Sequence, residues 1–554
     1  MNVAQLVVHL LNKHGVKQIF GIPGDAINDI MEAVRVTDDM DFIQVKHEEG
    51  GALAASVQAK LTGRLTACVG TSGPGAIHLL NGLYDAKLDH APVIAITGQV
   101  ETRYLGTDYH QEVDLERLFS DVAVYSETLT TPEQFPDVLM EACRAAIAHR
   151  GVAHVSIPSD VAGRDLGIDP DGISEAAFAG RILPSTADCS AAVDMLRASR
   201  KTAILAGIGA AGARGELLEL ANRLKAPIVR TLRAKTFIDD DHPLCVGGIG
   251  LLGGKPAVHA FQDCDTLLMV GTDFPYQDFY PRDAKVIQID LDPTQIGKRH
   301  PADLGVVGEA RAVLSGFLEH LEEKTDAGFL EEVQGRMHRW RDSQEQHEID
   351  DGVPIKPQRL LRAIADAAPD DAIYVCDTGT VNAWSARHLR VRAGQMFTQS
   401  ACLGTMGVAL PGAIGARLAY PDRKVIAIAG DGGFTMTMNE LITAVRYGLP
   451  IAIVVLNNAK LGFIGLEQEA KGLPAFGIDI DNPDFALLAQ ACGALGERVE
   501  QPDDLAPALD RAMEATKPYV VDVRVNAEEL IMPPEIEVGQ ALNFAKAKVR
   551  EWVE

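Results

Sequence analysis

The chain has 554 residues, a formal net charge of −26 and an apolar share of 47%. That length is too great for one hydrophobic core and predicts about three domains, with enough apolar residues to fill buried α/β sheets. The acidic balance, with no basic stretch to offset phosphate repulsion, excludes a nucleic-acid-binding protein.

The first residues lack the basic start and small-residue cleavage site of a signal peptide, and no apolar run is long enough to span a bilayer. A soluble, cytoplasmic protein is expected. Eight cysteines (Cys68, Cys143, Cys189, Cys245, Cys264, Cys376, Cys402 and Cys492) show no CxxC or metal-ligand spacing, and are expected as reduced core residues.

Residues 45–52 (VKHEEGGA) place Glu48 and Glu49 at the opening of a helix, where the helix dipole favours acids. Residues 65–97 then read as strand (LTACVG), Gly-rich turn (TSGPG), helix (AIHLLNGLYDAKLD) and a second apolar strand (VIAIT). A Gly-, Asp- and Pro-rich segment, 163–184, marks a boundary. Beyond it, a buried strand at 201–206 runs into Gly207, Gly209 and Gly212 and an amphipathic helix at 216–224, the spacing of a dinucleotide fingerprint. No acidic residue ends the next strand, 228–232, so the ribose contact of the nicotinamide pattern is missing. A charged helical stretch at 318–347 marks a second boundary.

Residues 425–456 repeat the order of 65–97: strand (VIAIAG), turn (DGG), helix (NELITAVRYG) and strand (IAIVVL). This is an internal duplication of a βαβ unit. The copies differ where chemistry would act. The first has Ser72, Gly73, Pro74 and Gly75; the second has Gly430, Asp431, Gly432 and Gly433, and its closing strand ends in Asn457 and Asn458. A carboxylate and an amide oxygen at the carboxyl ends of neighbouring parallel strands can share one hard divalent cation, which also takes phosphate oxygens. Glycines beside the carboxylate let backbone amides approach a diphosphate. The predicted fold class is α/β, with three doubly wound parallel-sheet domains at 1–165, 185–325 and 355–525 and a tail at 526–554.

The Gly-Asp-Gly turn followed one strand later by the Asn pair resembles the signature of thiamine diphosphate enzymes. Over nearly the whole chain the pattern looks like the branch containing pyruvate oxidase and quinone-dependent pyruvate dehydrogenase. The supporting segments are GIPGD (21–25), GPGAIHLLNGLYDA (73–86), GTDFPYQDFYP (271–281), IQIDLDP (287–293), DTGT (377–380), LGFIGLEQE (461–469) and PPEIEVGQA (533–541). The resemblance implies a pyrimidine-binding first domain, an FAD-binding central domain and a diphosphate-binding third domain. It implies Mg2+ held by Asp431, Asn458 and the carbonyl of Lys460. Glu48, with Glu49 as the alternative, would hydrogen-bond the aminopyrimidine and drive loss of the C2 proton. Met406 would wedge beneath the cofactor and the Gly404 carbonyl would accept its amino hydrogen, with Gly24, Gly73, Thr380, Gly430, Gly432, Gly433, Leu461 and Gly462 as further contacts. Flavin contacts carried over are Gly207, Gly209, Thr231, Arg233, Lys235, Gly250, Gly253, Gly271, Thr272, Asp273, Phe274, Asp290 and Asp303. Gln111, Phe463 and Glu467 would face the substrate.

The implied reaction is oxidative decarboxylation of pyruvate, giving acetyl phosphate or acetate, at active sites shared across a homodimer or homotetramer. Two other readings stay open: an acetolactate synthase-like carboligase with structural or absent FAD, and a non-catalytic thiamine-binding oligomer. His110 stands where the branch usually has a substrate-touching Phe, which opens the question of substrate. Residues 546–552 could form a short amphipathic end, but no stable membrane anchor is expected.

Overall fold

The computed structural model describes residues 1–167, 181–529 and 531. The segments 533–541 and 546–552 and most of the 163–184 boundary therefore lie outside the described residues. Three six-stranded sheets organise the rest, and every strand pairing within them is parallel.

The first sheet contains β1 (Gln18–Gly21), β2 (Asp41–Gln44), β3 (Thr66–Gly70), β4 (Val93–Gln99), β5 (Ala123–Thr128) and β6 (Val152–Pro158), in the order β2-β1-β3-β4-β6-β5. The second contains β7 (Thr202–Ala206), β8 (Ile228–Arg230), β9 (Cys245–Gly248), β10 (Thr266–Val270), β11 (Lys285–Asp290) and β12 (Leu304–Val307), in the order β12-β11-β10-β7-β8-β9. The third contains β13 (Ile373–Cys376), β14 (Met396–Gln399), β15 (Val425–Gly430), β16 (Ala452–Asn457), β17 (Leu495–Val499) and β18 (Tyr519–Arg524), in the order β14-β13-β15-β16-β18-β17. Counted from its own first strand, the third sheet repeats the first, so the duplication seen in one βαβ unit extends to whole sheets. The second has the dinucleotide-binding order. Strands β4, β6, β7, β10 and β16 are buried along their whole length, as parallel strands covered on both faces must be.

The first and third sheets share one core. The helix Glu48–Thr62 is built of small residues and is buried on nearly every side. It packs between the first sheet and the helix Ala409–Ala419, and one apolar cluster joins Phe20, Leu53 and Val93 to Val375, Ile414 and Val455. The approach is close enough that a Cβ on Gly415 would stand 2.2 Å from the Ala54 carbonyl oxygen. The charged stretch expected as a boundary forms most of the helix Gly328–Glu348, which sends Phe329 and Val333 into the second sheet's core. Its last residue, Glu348, meets His388 beside the third sheet at 3.0 Å.

A buried ionic cluster ties the three sheets together. Asp89, fully buried after the helix Leu80–Leu88, meets Lys60 Nζ at 2.6 Å and accepts hydrogen bonds from the amides of Ala401 and Cys402. Its backbone carbonyl accepts from Arg233 Nη1 at 2.6 Å. Lys60 also meets Asp85 at 2.6 Å and donates to the Gln399 carbonyl. Burial alone would raise the Asp89 pKa, but Lys60 and Arg233 outweigh it and hold the carboxyl below its usual range.

All eight cysteines are unpaired, as expected, but three depart from the expected burial: Cys189 and Cys492 are half-buried and Cys402 is exposed in a cavity wall. No helix among the described residues is long and apolar enough to cross a membrane. Removing one partner of the buried cluster strands an opposite charge. Lys60→Met or Asp89→Asn is therefore expected to cost about 3 kcal/mol or more, read as a lowered midpoint of urea unfolding.

Candidate functional site

Ligands of open parallel sheets bind beyond the carboxyl ends of the strands, where the strand order reverses. In the third sheet that place lies between β13 and β15, and both of the following turns open helices. Asp431 begins the helix Asp431–Thr437 directly after β15 and is 3% exposed. Its Oδ1 accepts from the Gly432 amide at 2.9 Å, and its Oδ2 accepts from the Ala459 amide at 2.6 Å and from Asn482 Nδ2 at 2.8 Å. All these partners are neutral, and burial pushes the Asp431 pKa upward. A buried carboxylate with neutral partners fits a cation. Asn458 and Lys460 stand beside it on the same cavity wall, giving an all-oxygen donor set of carboxylate, amide and carbonyl suited to Mg2+.

The two asparagines have separate surroundings. Asn457 is 1% exposed and turns into the sheet, where its Nδ2 donates to Asp522 and its Oδ1 accepts from Asn482 and Arg524. Asn458 lines the cavity. The left-handed backbone of Ala459 (φ 56°) makes the turn between Asn458 and Lys460, and the Asn458 side-chain oxygen accepts from the Lys460 amide.

The cavity has a volume of about 820 Å³. Thr380, Gly404, Met406, Gly430, Gly432, Gly433, Leu461 and Gly462 line one end, together with Phe463 and Glu467. At that end a Cβ on Gly433 would stand 2.6 Å from Asp377 Oδ2, and the buried Thr378 hydroxyl has no hydrogen-bond partner. These features fit a cradle for a diphosphate. The cavity continues to the second sheet's own reversal point, between β7 and β10, where Gly207, Gly209, Thr231, Arg233, Gly271, Thr272, Asp273, Phe274 and Asp290 line it. There Gly207 would place a Cβ 2.1 Å from the Gly271 carbonyl oxygen, whereas Gly212, the third glycine of the fingerprint, faces open space.

Four of the expected flavin contacts lie off the cavity wall. Lys235 is buried against Asp240 at 2.7 Å, and desolvation lowers its pKa to about 8. Asp303 is exposed, and its carboxylate accepts from the Val286 amide. Gly253 lies against the Gly248 carbonyl, and Gly250 (φ 95°) backs the ring of Phe274.

The first sheet has its own reversal point between β1 and β3, equivalent to that of the third. Gly24 and Gly73 sit in the turns that follow these strands, and Glu48 faces the second turn. Glu48 is 7% exposed; its Oε2 meets His78 Nδ1 at 3.0 Å, and a Cβ on Gly75 would lie 3.3 Å from its Oε1. Glu49 instead accepts from Asn81 at 2.6 Å, and Asn81 also donates to Thr405. Gln111 has a left-handed backbone (φ 63°) and places its side-chain oxygen 3.4 Å from Ser72 Oγ. The Glu112 carboxylate accepts from the amides of Gly106, Thr107 and Tyr109, and this folds the loop that carries the exposed His110.

Gly24, Glu48, Gly73 and Gln111 do not line the cavity of their own chain. The sequence-predicted residues thus form two patches, one at the first sheet and one spanning the second and third. Sequence reasoning missed His78, whose Nδ1 bonds Glu48, Asn482, which bonds Asp431, and Asp377. The Asp377 Oδ1 accepts from the amides of Thr378 and Gly407 and so fixes the segment bearing Met406.

Three models of thiamine pyrophosphate enzymes match the chain: the N-terminal TPP-binding domain over residues 1–118, the central domain over 189–317 and the C-terminal TPP-binding domain over 377–523. A Bacillus subtilis (strain 168) protein, YdaP, assigned as thiamine pyrophosphate-containing, is 43% identical over 99% of this chain and 96% of its own. The chain belongs to the thiamine pyrophosphate enzymes. Among further relatives in this family, pyruvate oxidase of Lactiplantibacillus plantarum is 35% identical over 97% of this chain and 91% of its own. Acetolactate synthase isozyme 2 large subunit of Escherichia coli (strain K12) is 33% identical over 96% and 97%.

Asp377 gives this thiamine pyrophosphate enzyme a testable pH signature. Burial pushes its pKa up to about 7, against hydrogen bonds from the amides of Thr378 and Gly407. Between the ordinary carboxylate pKa and that value the folded chain holds a proton that the unfolded chain has lost, so stability falls as pH rises. The expected slope from this group is about 1.4 kcal/mol per pH unit at most, and Asp377→Asn should remove it in unfolding curves taken from pH 4 to pH 7.

Proposed function

We propose that this enzyme carries out flavin-dependent oxidative decarboxylation of pyruvate, forming acetyl phosphate or acetate. The observation that carries the reading is the single cavity running from Asp431 and Asn458 to Gly207 and Gly271, which joins a metal-and-diphosphate cradle to a dinucleotide crevice. Bound there, thiamine diphosphate would supply the electron sink for decarboxylation and FAD the acceptor for the electron pair. The likeness to pyruvate oxidase supports this assignment.

On this reading residues 1–165 bind the pyrimidine, 185–325 the flavin and 355–525 the diphosphate. Asp431, Asn458 and the Lys460 carbonyl would hold Mg2+, a hard cation that would anchor the diphosphate there. Met406 and the Gly404 carbonyl, on the cavity wall, would support the cofactor and orient its ring. Glu48 would hold and move the proton that activates the cofactor ring. Phe463, Glu467 and Gln111 orient the 2-oxo acid and exclude water. Because Glu48, Gly24, Gly73 and Gln111 lie outside their own chain's cavity, a second copy supplies them, and the working unit is a homodimer or homotetramer in the cytoplasm.

Anaerobic addition of pyruvate to the purified, Mg2+- and thiamine diphosphate-loaded protein should bleach the flavin absorbance; persistent yellow colour would overturn the oxidase reading. Glu48→Gln should slow that bleaching by at least about 10²-fold, and chelation of Mg2+ should abolish it until metal is restored.

The comparable likeness to acetolactate synthase supports a second reading, a carboligase in which the flavin is not reduced. Formation of acetolactate without bleaching would select it. The exposed His110, on the loop ordered by Glu112, is the residue to probe for substrate preference. His110→Phe is expected to change the ratio of kcat/KM between pyruvate and longer 2-oxo acids while leaving stability within about 0.5 kcal/mol.

A further inference from the structure

Glu440 opens the helix Glu440–Arg446 beside the third sheet, yet its carboxylate is committed to the first. It is 1% exposed, and its Oε1 accepts from the backbone amides of Lys46 at 2.9 Å and His47 at 3.0 Å. Its Oε2 accepts from the Thr443 hydroxyl at 2.7 Å. Burial pushes its pKa up, and these hydrogen bonds act against that shift. A buried carboxylate is retained only where its acceptors are satisfied, and here two of the three donors are the peptide groups immediately before Glu48.

The fit extends along the seam. A Cβ on Gly50 would stand 2.7 Å from Glu440 Oε1, so the carboxylate occupies space that any other residue at position 50 would need. Tyr447 continues the contact, its hydroxyl accepting from the Gln44 amide at 2.7 Å and donating to the Phe42 carbonyl at 3.0 Å. Arg446 donates to the Gln44 side chain. The same short stretch of chain therefore bonds the backbone of residues 42, 44, 46 and 47. His47 is the N-cap of the helix Glu48–Thr62, so fixing its amide fixes where that helix starts and where the Glu48 side chain leaves the backbone.

We propose that Glu440 is a positioning residue for Glu48, a clamp that holds the base through the two peptide groups before it. The inference rests on the reading of Glu48 as the group that acts on the cofactor ring. Glu440 itself touches neither the cavity nor Glu48's carboxylate, so its effect is on placement, and misplacement by about 1 Å can cost on the order of 10²-fold in rate.

The test uses full-length protein and two independent readouts. In the cofactor-free chain, amide hydrogen exchange over residues 42–48 should speed up by at least about 10-fold in Glu440→Ala, and less in Glu440→Gln, whose remaining oxygen can still accept from both amides. With Mg2+ and thiamine diphosphate added, Glu440→Ala should bind the cofactor as wild type does, because the cavity residues are untouched. Exchange of the cofactor's C2 proton, followed by NMR, should slow on the order of 10²-fold and recover in Glu440→Gln. Glu440→Asp, which keeps the charge but withdraws it from the amides, should behave as Glu440→Ala does, and it carries the test if Glu440→Ala does not fold. Unchanged amide protection and unchanged C2 exchange in Glu440→Asp would overturn the clamp. Glu48→Gln separates the two ideas: if it leaves C2 exchange at the wild-type rate, the assignment of the base fails. If it abolishes C2 exchange while Glu440→Asp changes neither readout, the clamp alone fails.

Discussion

The buried carboxylate of Asp89 constrains the relation of all three sheets. Its charge is compensated by Lys60 and Arg233, and its lone pairs by the amides of Ala401 and Cys402. Lys60 lies near the end of the helix that begins with Glu48. Arg233 stands on the wall of the cavity beside Gly207 and Gly271, and Cys402 leads into the segment of Gly404 and Met406. One ionic cluster therefore ties together the helix that carries Glu48, the turn that carries Arg233 and the segment that leads to Met406. Such a cluster adds little net stability compared with apolar packing, but no partner can shift without exposing a buried charge to an uncompensated environment.

Much of the architecture was legible in the sequence because it is written in apolar runs and glycine turns. The duplicated βαβ units became two sheets of identical strand order, and the fingerprint of Gly207 and Gly209 lies at the reversal point of a dinucleotide-type sheet. The resemblance also fell on residues that share a wall: Asp431, Asn458, Phe463, Glu467, Asp273 and Asp290 line the same cavity. What the sequence could not resolve is where neighbouring side chains of like chemistry point. Asn457 and Asn458 are adjacent, and the strand's alternation sends the first into the sheet and leaves the second on the cavity wall. Glu48 and Glu49 divide in the same way between the turn after β3 and Asn81.

Other residues escaped notice because their partners are remote in sequence. Asn482 reaches Asp431 across 51 positions, and Glu440 reaches His47 across 393. No local pattern signals such pairs. Conversely, Gly212 completes a motif on paper but a Cβ there would meet only open space, and Lys235 spends its charge on Asp240. Local spacing records that a turn exists, whereas the ligand-facing role of each residue in it depends on the sheet opposite.

The close packing of the helix Glu48–Thr62 has a consequence for how such a protein can change. Ala54 meets Gly415 and Leu53 meets Gly82 at distances that leave no room for an added methyl group. A lineage exploring new substrates would find this helix almost closed to variation, since most replacements there would disturb two sheets at once. Residues 106–110 of the loop that Glu112 folds are exposed and far less restricted. Heritable novelty in this architecture should therefore accumulate in that loop and spare the helix, and a library confined to it would sample new chemistry without sampling unfolded chains.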